Sequence, residues 1–164
     1  MKALVVSRLS PDLSGVALRQ TDRPQGEVLV RVRAASLNYP DLLMTQGKYQ
    51  FKPEPPFVAG LEMAGEVVEA GADSGFAAGD AVIGGAKTGA FADYVALPAA
   101  WLRKIPQGLD FAQAAAMGAA YHTAYVALVE IGGLEAGQTV LVHGASGGVG
   151  LAACDLARAL GAKV

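Results

Sequence analysis

The chain has 164 residues, enough for an ordinary domain with a sizeable core, which excludes a mini-protein that depends on staples to fold. Thirteen Lys and Arg against 15 Asp and Glu leave a net charge of −2, and no basic run tracks a phosphate backbone, so nucleic acid is excluded as the expected partner. Hydrophobic residues at 52% and charged residues at 17% exclude a disordered chain, and the single Cys154 excludes an internal disulfide and a thiolate zinc site.

From residue 1 to about 109 the chain reads as short strands punctuated by Gly and Pro. The amino terminus offers only the apolar run 3–6, far short of a signal peptide, so the expected location is cytoplasmic. Residues 27–34, E-V-L-V-R-V-R-A, alternate Val28, Val30 and Val32 against Leu29, Arg31 and Arg33, the period of a half-buried strand. A helical turn is expected over 40–46, opened by Pro40 and ended by Gly47, followed by a Pro-rich loop over 52–57. Further strand-like runs occupy 61–70, 80–83 and 90–97, and strands so short and so spaced predict a barrel or sandwich.

After residue 109 the pattern changes. Asp110 is a plausible N-cap for an Ala-rich helix ending near Gly132 and Gly133. Within it, 111–129 carry no charge over 19 residues, yet Gln113, Gly118, Tyr121, His122, Thr123 and Tyr125 make the stretch too polar for lipid, so a core helix is expected and no membrane span. The run T-V-L-V-H at 139–143 reads as a buried parallel strand. A helix follows with Val149, Ala152, Ala153, Leu156 and Leu160 on one face, Asp155 and Arg158 on the other, and Gly161 as C-cap. Lys163 and Val164 then look like the start of another strand. These are the opening elements of a doubly wound sheet, which buries itself only with further strands and helices, so the expectation is a chain that continues in nature or is covered by a partner.

Between that strand and helix lies H-G-A-S-G-G-V-G, which reads as G-x-x-G-x-x-G at Gly144, Gly147 and Gly150. In this context such a turn brings helix amides against a pyrophosphate. Two other readings stay open. One is a tight turn without a ligand. The other takes 144–148 as the G-x-S-x-G elbow of a serine hydrolase, for which no histidine follows Ser146.

The motifs N-Y-P-D (38–41), G-K-Y (47–49), P-F-V-A-G-L-E-M-A-G (56–65), G-A-F-A-D-Y-V (89–95), A-A-M-G-A-A-Y-H-T-A-Y (115–125) and V-L-V-H-G-A-S-G-G-V-G (140–150) together resemble the medium-chain dehydrogenase/reductase superfamily. Within it, the likeness is to the zinc-independent, zeta-crystallin-like quinone oxidoreductases, across essentially the whole chain. The resemblance implies mixed α and β structure: a GroES-like partly open β-barrel over 1–118, then the first β-α unit of a Rossmann fold over 119–164. It implies an NADPH-dependent oxidoreductase that passes hydride to a quinone or an activated alkene, with this chain as its amino-terminal half. A homo-oligomer is expected from the apolar faces that the 110–131 and 148–160 segments would otherwise expose. Asn38 and Tyr49 are then the expected catalytic residues. Asn38 and Thr123 serve the nicotinamide end, while Gly144, Ala145, Ser146, Gly147, Gly148 and Val149 form the cofactor turn.

No zinc is expected, because Asn38, Leu61 and Ala119 stand where zinc-dependent relatives place Cys, His and Cys. Glu62 is read as a structural hydrogen-bond acceptor, and His122 and His143 as satisfied polar groups. Leu43 stands where many zeta-crystallin-like enzymes have a tyrosine, which brings an alkene or enoyl thioester forward beside a quinone. The residue that distinguishes NADPH from NADH is expected about 20 residues past the glycine turn, beyond residue 164. The competing expectation is an inactive fragment or a barrel-only binding module.

Overall fold

A computed structural model describes residues 1–164, which separate into two compact units, Met1–Ala116 and Met117–Val164. The first is β-rich. Its hairpin β1 (Lys2–Val6) and β2 (Val16–Gln20) pairs antiparallel, and β4 (Phe57–Val58) adds to the other side of β1, giving the order β2-β1-β4. A second antiparallel sheet has the order β7-β3-β5-β6-β8, built from β3 (Val28–Ser36), β5 (Glu62–Ala70), β6 (Ala81–Gly85), β7 (Tyr94–Leu97) and β8 (Leu102–Lys104).

Neither sheet closes. The partly open barrel expected from the family resemblance takes the form of two open sheets, with Ala3 of β1 bridged to Ala92 in the segment before β7. Closure needs continuous hydrogen bonding around a ring of tilted strands. Here that continuity is interrupted by 86–93, which bonds to β1 through Leu4 N–H to the Phe91 carbonyl and Asp93 N–H to the Lys2 carbonyl, and to β3 through Val32 N–H to the Asp93 carbonyl. The loop expected over 52–57 ends one residue earlier, since Phe57 already pairs with Val6.

The alternation read in 27–34 sets the core. Val28 and Val30 pack with Met63, Val67, Val82, Val95, Leu97 and Leu102 on one face of the five-stranded sheet. Register shifts at Leu29/Val30 and Val32/Ala34 mark irregularities in the β3–β5 ladder. The second of these turns β3 by one residue, as an extra residue in a ladder must. Ala34 thereby joins Ala64 and Ile83 on the opposite face, where α2 (Phe111–Ala115) lays down Phe111, Ala114 and Ala115.

α2 begins at the expected cap: Asp110 accepts from the Gln113 N–H at 2.7 Å, and Gln113 returns the bond at 3.1 Å. The single long helix expected from there is not formed. α2 stops at Ala115, and α3 (Gly118–Tyr125) starts afresh before running into a π-helical segment, Val126–Ile131. The break falls at Ala116-Met117, immediately before Gly118, a residue that weakens helix propagation.

In the second unit, α4 (Gly148–Ala159) packs on α3, with Tyr121 donating its hydroxyl to Asp155 at 2.8 Å. That bond, with smaller contributions from burial and the Asp155 charge, pushes the Tyr121 phenol above its ordinary value. Ala152 and Ala157 are the buried positions of α4, whereas Val149 and Leu160 of the expected apolar face are exposed. The strand expected over 139–143 is absent. A single parallel bridge joins Thr139 to Lys163, held by Val140 N–H to the Lys163 carbonyl and Lys163 N–H to the Gln138 carbonyl. A parallel strand needs neighbours along its length, and the segment pairing here is only a residue or two long. No helix is long and apolar enough to cross a membrane.

Candidate functional site

In the first unit, sheet register builds the site. β3 ends with Ser36 opposite Glu62 of β5, and the chain turns into α1 (Tyr39–Thr45) immediately afterwards, with Asn38 as N-cap and Pro40 in the first turn. Asn38 is thus brought level with a glutamate 24 residues away. Its Nδ2 donates to Glu62 Oε1 at 2.7 Å, while its backbone N–H donates to Asp41 Oδ2 at 2.8 Å. Glu62 and Asp41 are 3% and 2% exposed, so two carboxylates lie in the protein interior around one asparagine. A cavity of about 420 Å³ opens beside α1, walled by Leu4, Leu13, Val16, Leu42 and Phe91, with Asn38 and Asp41 on its lining.

Burial pushes the Asp41 carboxyl above the ordinary carboxylate value of 3.8. The Asn38 N–H opposes this, the Glu62 charge adds to it, and the Leu61 N–H opposes it more weakly. The other oxygen, Asp41 Oδ1, is buried without a hydrogen bond. The consequence for stability has a definite sign. A carboxyl whose folded value is raised binds its proton more tightly in the folded state, so its contribution is complete below 3.8 and is lost as pH rises through the raised value. Melting curves of wild type and Asp41→Asn over this acidic range are expected to differ by an amount that changes with pH, with wild type losing ground as pH rises. A difference that stays constant with pH would show that Asp41 does not carry this proton.

In the second unit, 144–150 form an exposed turn into α4, whose N-cap is Gly147, and no side chain caps the helix. A Cβ on Gly150 would lie 2.2 Å from the Gly144 carbonyl oxygen, so the turn and the first turn of helix touch backbone to backbone. A Cβ on Gly148 would meet nothing within 4 Å, leaving its open face free for a group to approach. Uncapped amides and an open, side-chain-free backbone suit a phosphate-bearing ligand. These residues fit the pyrophosphate of a dinucleotide.

The structure joins Asn38 to Glu62 and Asp41 and gathers Gly144, Ala145, Ser146, Gly147, Gly148 and Val149 into one turn. Thr123 is exposed on α3, and Tyr49 is half-buried in the segment after α1. Both histidines are exposed, and no hydrogen bond links Ser146 to either. No three His, Cys, Asp or Glu side chains gather as a metal site would require. Asp41 lies outside the site expected from the sequence. Its signal is in N-x-x-D, whose three-residue spacing is that of a capping box.

The alcohol dehydrogenase GroES-like domain family matches residues 24–107. Human quinone oxidoreductase is 44% identical over 141 residues, covering 84% of this chain and 43% of that protein. A probable oxidoreductase from Mycobacterium abscessus, whose crystal structure is known, superposes with a TM-score of 0.95 at 45% identity, over 100% of this chain and 53% of the other. The quinone oxidoreductase from Thermus thermophilus, solved also in complex with NADPH, superposes with a TM-score of 0.85 at 35% identity, over 99% of this chain and 51% of that one. The chain therefore spans about half the length of the proteins it matches. With these matches over the open GroES-like sheets and the glycine turn, the chain belongs to the medium-chain dehydrogenase/reductase superfamily, in its quinone oxidoreductase group.

Proposed function

We propose that this chain contributes to an NADPH-dependent, zinc-free oxidoreductase that reduces a quinone or an activated alkene in the cytosol. The observation that carries the reading is the uncapped glycine turn at α4, with its close Gly150 contact and its open Gly148 face. The relative from Thermus thermophilus, solved with NADPH, supports the choice of nucleotide.

NADPH, when bound, supplies the hydride. Gly144, Ala145, Ser146, Gly147, Gly148 and Val149 hold the pyrophosphate through backbone amides. Asn38 and Thr123 are assigned to the nicotinamide end, where their amide and hydroxyl groups orient the ring by hydrogen bonding. Tyr49 is assigned to the acceptor, its hydroxyl holding the proton that the reduced oxygen takes up. A conjugated carbonyl suits a site of this kind, because the negative charge it gains is spread over several atoms. Leu43 offers the acceptor only apolar contact, which keeps an enone or enoyl thioester beside a quinone as substrate class. Self-association belongs to the same reading, since Ile131 and Leu141 are 80% and 79% exposed.

The test is a titration of the protein with NADPH, and with NADH in parallel, followed by nucleotide fluorescence. Saturable binding with preference for NADPH is expected. Failure of both nucleotides to bind would sink the reading in favour of a binding module without catalysis.

A further inference from the structure

Asn38 is held at three points. Its backbone N–H donates to Asp41 Oδ2, its backbone carbonyl accepts from the Asp41 N–H at 3.0 Å, and its side-chain Nδ2 donates to Glu62 Oε1. The first two bonds fix the backbone, and the capping box of α1 turns the side chain toward the Asp41 N–H without a hydrogen bond closing there. Glu62 is the hydrogen-bond partner of the side-chain amide, and it acts in one sense. A carboxylate oxygen accepts from an NH₂ group and repels a carbonyl oxygen, so the nitrogen end must face β5 and the oxygen end must face away. Glu62 is itself held rigidly: it lies inside β5, paired with Ser36 and Gly85, and is 3% exposed.

A bond between buried partners in a low-dielectric setting resists reversal, because flipping the amide would set two oxygens against each other and leave a donor unmet. We propose that Glu62 is a positioning residue for Asn38, setting which end of its amide is offered to the bound nucleotide. This rests on the reading that Asn38 serves the nicotinamide end. In that role Glu62 does not touch the ligand. It determines whether Asn38 meets the ligand in one orientation or averages over two.

The geometry distinguishes three replacements. Glu62→Gln keeps the reach but offers an NH₂ as well as an oxygen, so it holds either end of the Asn38 amide and imposes neither. Glu62→Asp keeps the charge but withdraws the acceptor by about one carbon–carbon bond, roughly 1.5 Å, too far for a 2.7 Å contact to survive. Glu62→Leu removes the acceptor altogether. Where Glu62→Leu fails to fold, Glu62→Asp reads the same loss with the buried polarity retained.

The experiment is a double-mutant cycle in NADPH affinity, with the Asn38 side-chain amide followed by ¹⁵N NMR. Glu62→Gln, Glu62→Asp and Glu62→Leu are each expected to weaken NADPH binding by about twofold, the cost of averaging over two amide orientations, and to shift the Asn38 NH₂ signals. In an Asn38→Ala background the Glu62 effects on affinity are expected to vanish, because the group through which Glu62 acts is gone. Effects that add in full would overturn the positioning role while leaving Asn38 at the nucleotide. If Asn38→Ala binds NADPH as wild type does, the assignment of Asn38 to the nucleotide fails, and the positioning role with it. A purely structural Glu62 would lower the melting temperature in both backgrounds without moving the affinity.

Discussion

Gly150→Ala is expected to weaken NADPH binding by at least about tenfold, ~1.4 kcal/mol, and to lower the melting temperature as well. On propensity alone the change should help, since alanine is favoured over glycine within a helix by up to about 1 kcal/mol. The local geometry reverses that sign. The new Cβ would stand 2.2 Å from the Gly144 carbonyl oxygen and 2.8 Å from Ala145 Cα. Both are backbone atoms, so no rotamer relieves the clash. The turn must open, and the α4 amides then lose their common direction. Gly148→Ala is the contrasting case, because its Cβ has nothing within 4 Å. It is expected to melt like wild type and still bind NADPH more weakly, since the methyl group occupies the face assigned to the pyrophosphate. Equal affinities for wild type and both variants would show that the nucleotide does not lie on this turn.

Gly60→Ala is expected to cost about 3 kcal/mol or more in stability, a drop on the order of 10 °C in melting temperature. Gly60 has φ +104°, a conformation that L side chains rarely adopt, and a Cβ there would lie 2.5 Å from the Phe91 backbone nitrogen and 2.7 Å from its ring. Phe91 cannot simply step aside. Its N–H donates to the Ala59 carbonyl at 2.9 Å, its own carbonyl accepts from Leu4 at 2.8 Å, and Ala90 donates to the Gly60 carbonyl at 3.1 Å. These bonds tie β1 and β4 to the 89–93 segment, so moving Phe91 loosens the three-stranded sheet. The damage also reaches the site, because Glu62 stands two residues beyond Gly60. A thermal melt followed by circular dichroism checks this, and an unchanged midpoint would count against the account.

Much of this was legible along the chain. Alternation at Val28, Val30 and Val32 marked β3, and Pro40 followed by Gly47 marked α1, because each signal is carried by residues close in sequence. β4 and β8 run for only two and three residues, too short for any period to show. The break before Gly118 was hidden by alanines that favour helix on both sides. The strand at 139–143 failed for a different reason: its apolar run has the pattern of a buried strand, but strand formation depends on neighbours that pair with it. In the site, Asn38 was legible as a nicotinamide-end residue through the family resemblance, and Glu62 as an acceptor. Their bond to each other was not, since it arises from the register of β3 on β5 rather than from anything local to either residue.

The open sheets carry a cost that a closed barrel would avoid, since β2, β4, β7 and β8 each present an edge to which a stray strand could add. The sequence meets this edge by edge. β4 has only two residues to offer, and its Val58 carbonyl already accepts from the Gly89 N–H. β8 carries exposed Arg103 and Lys104, and β2 carries exposed Arg19 between Leu18 and Gln20. β7 begins with Tyr94, whose ring lies 4.7 Å from the Arg23 guanidinium and 5.8 Å from that of Arg31. An incoming chain would gain few amide partners at any of these edges and would have to bury a cation at three of them. Resistance to amyloid-like growth is thus written into the shortness and charge of the margins, independently of how well the interior packs.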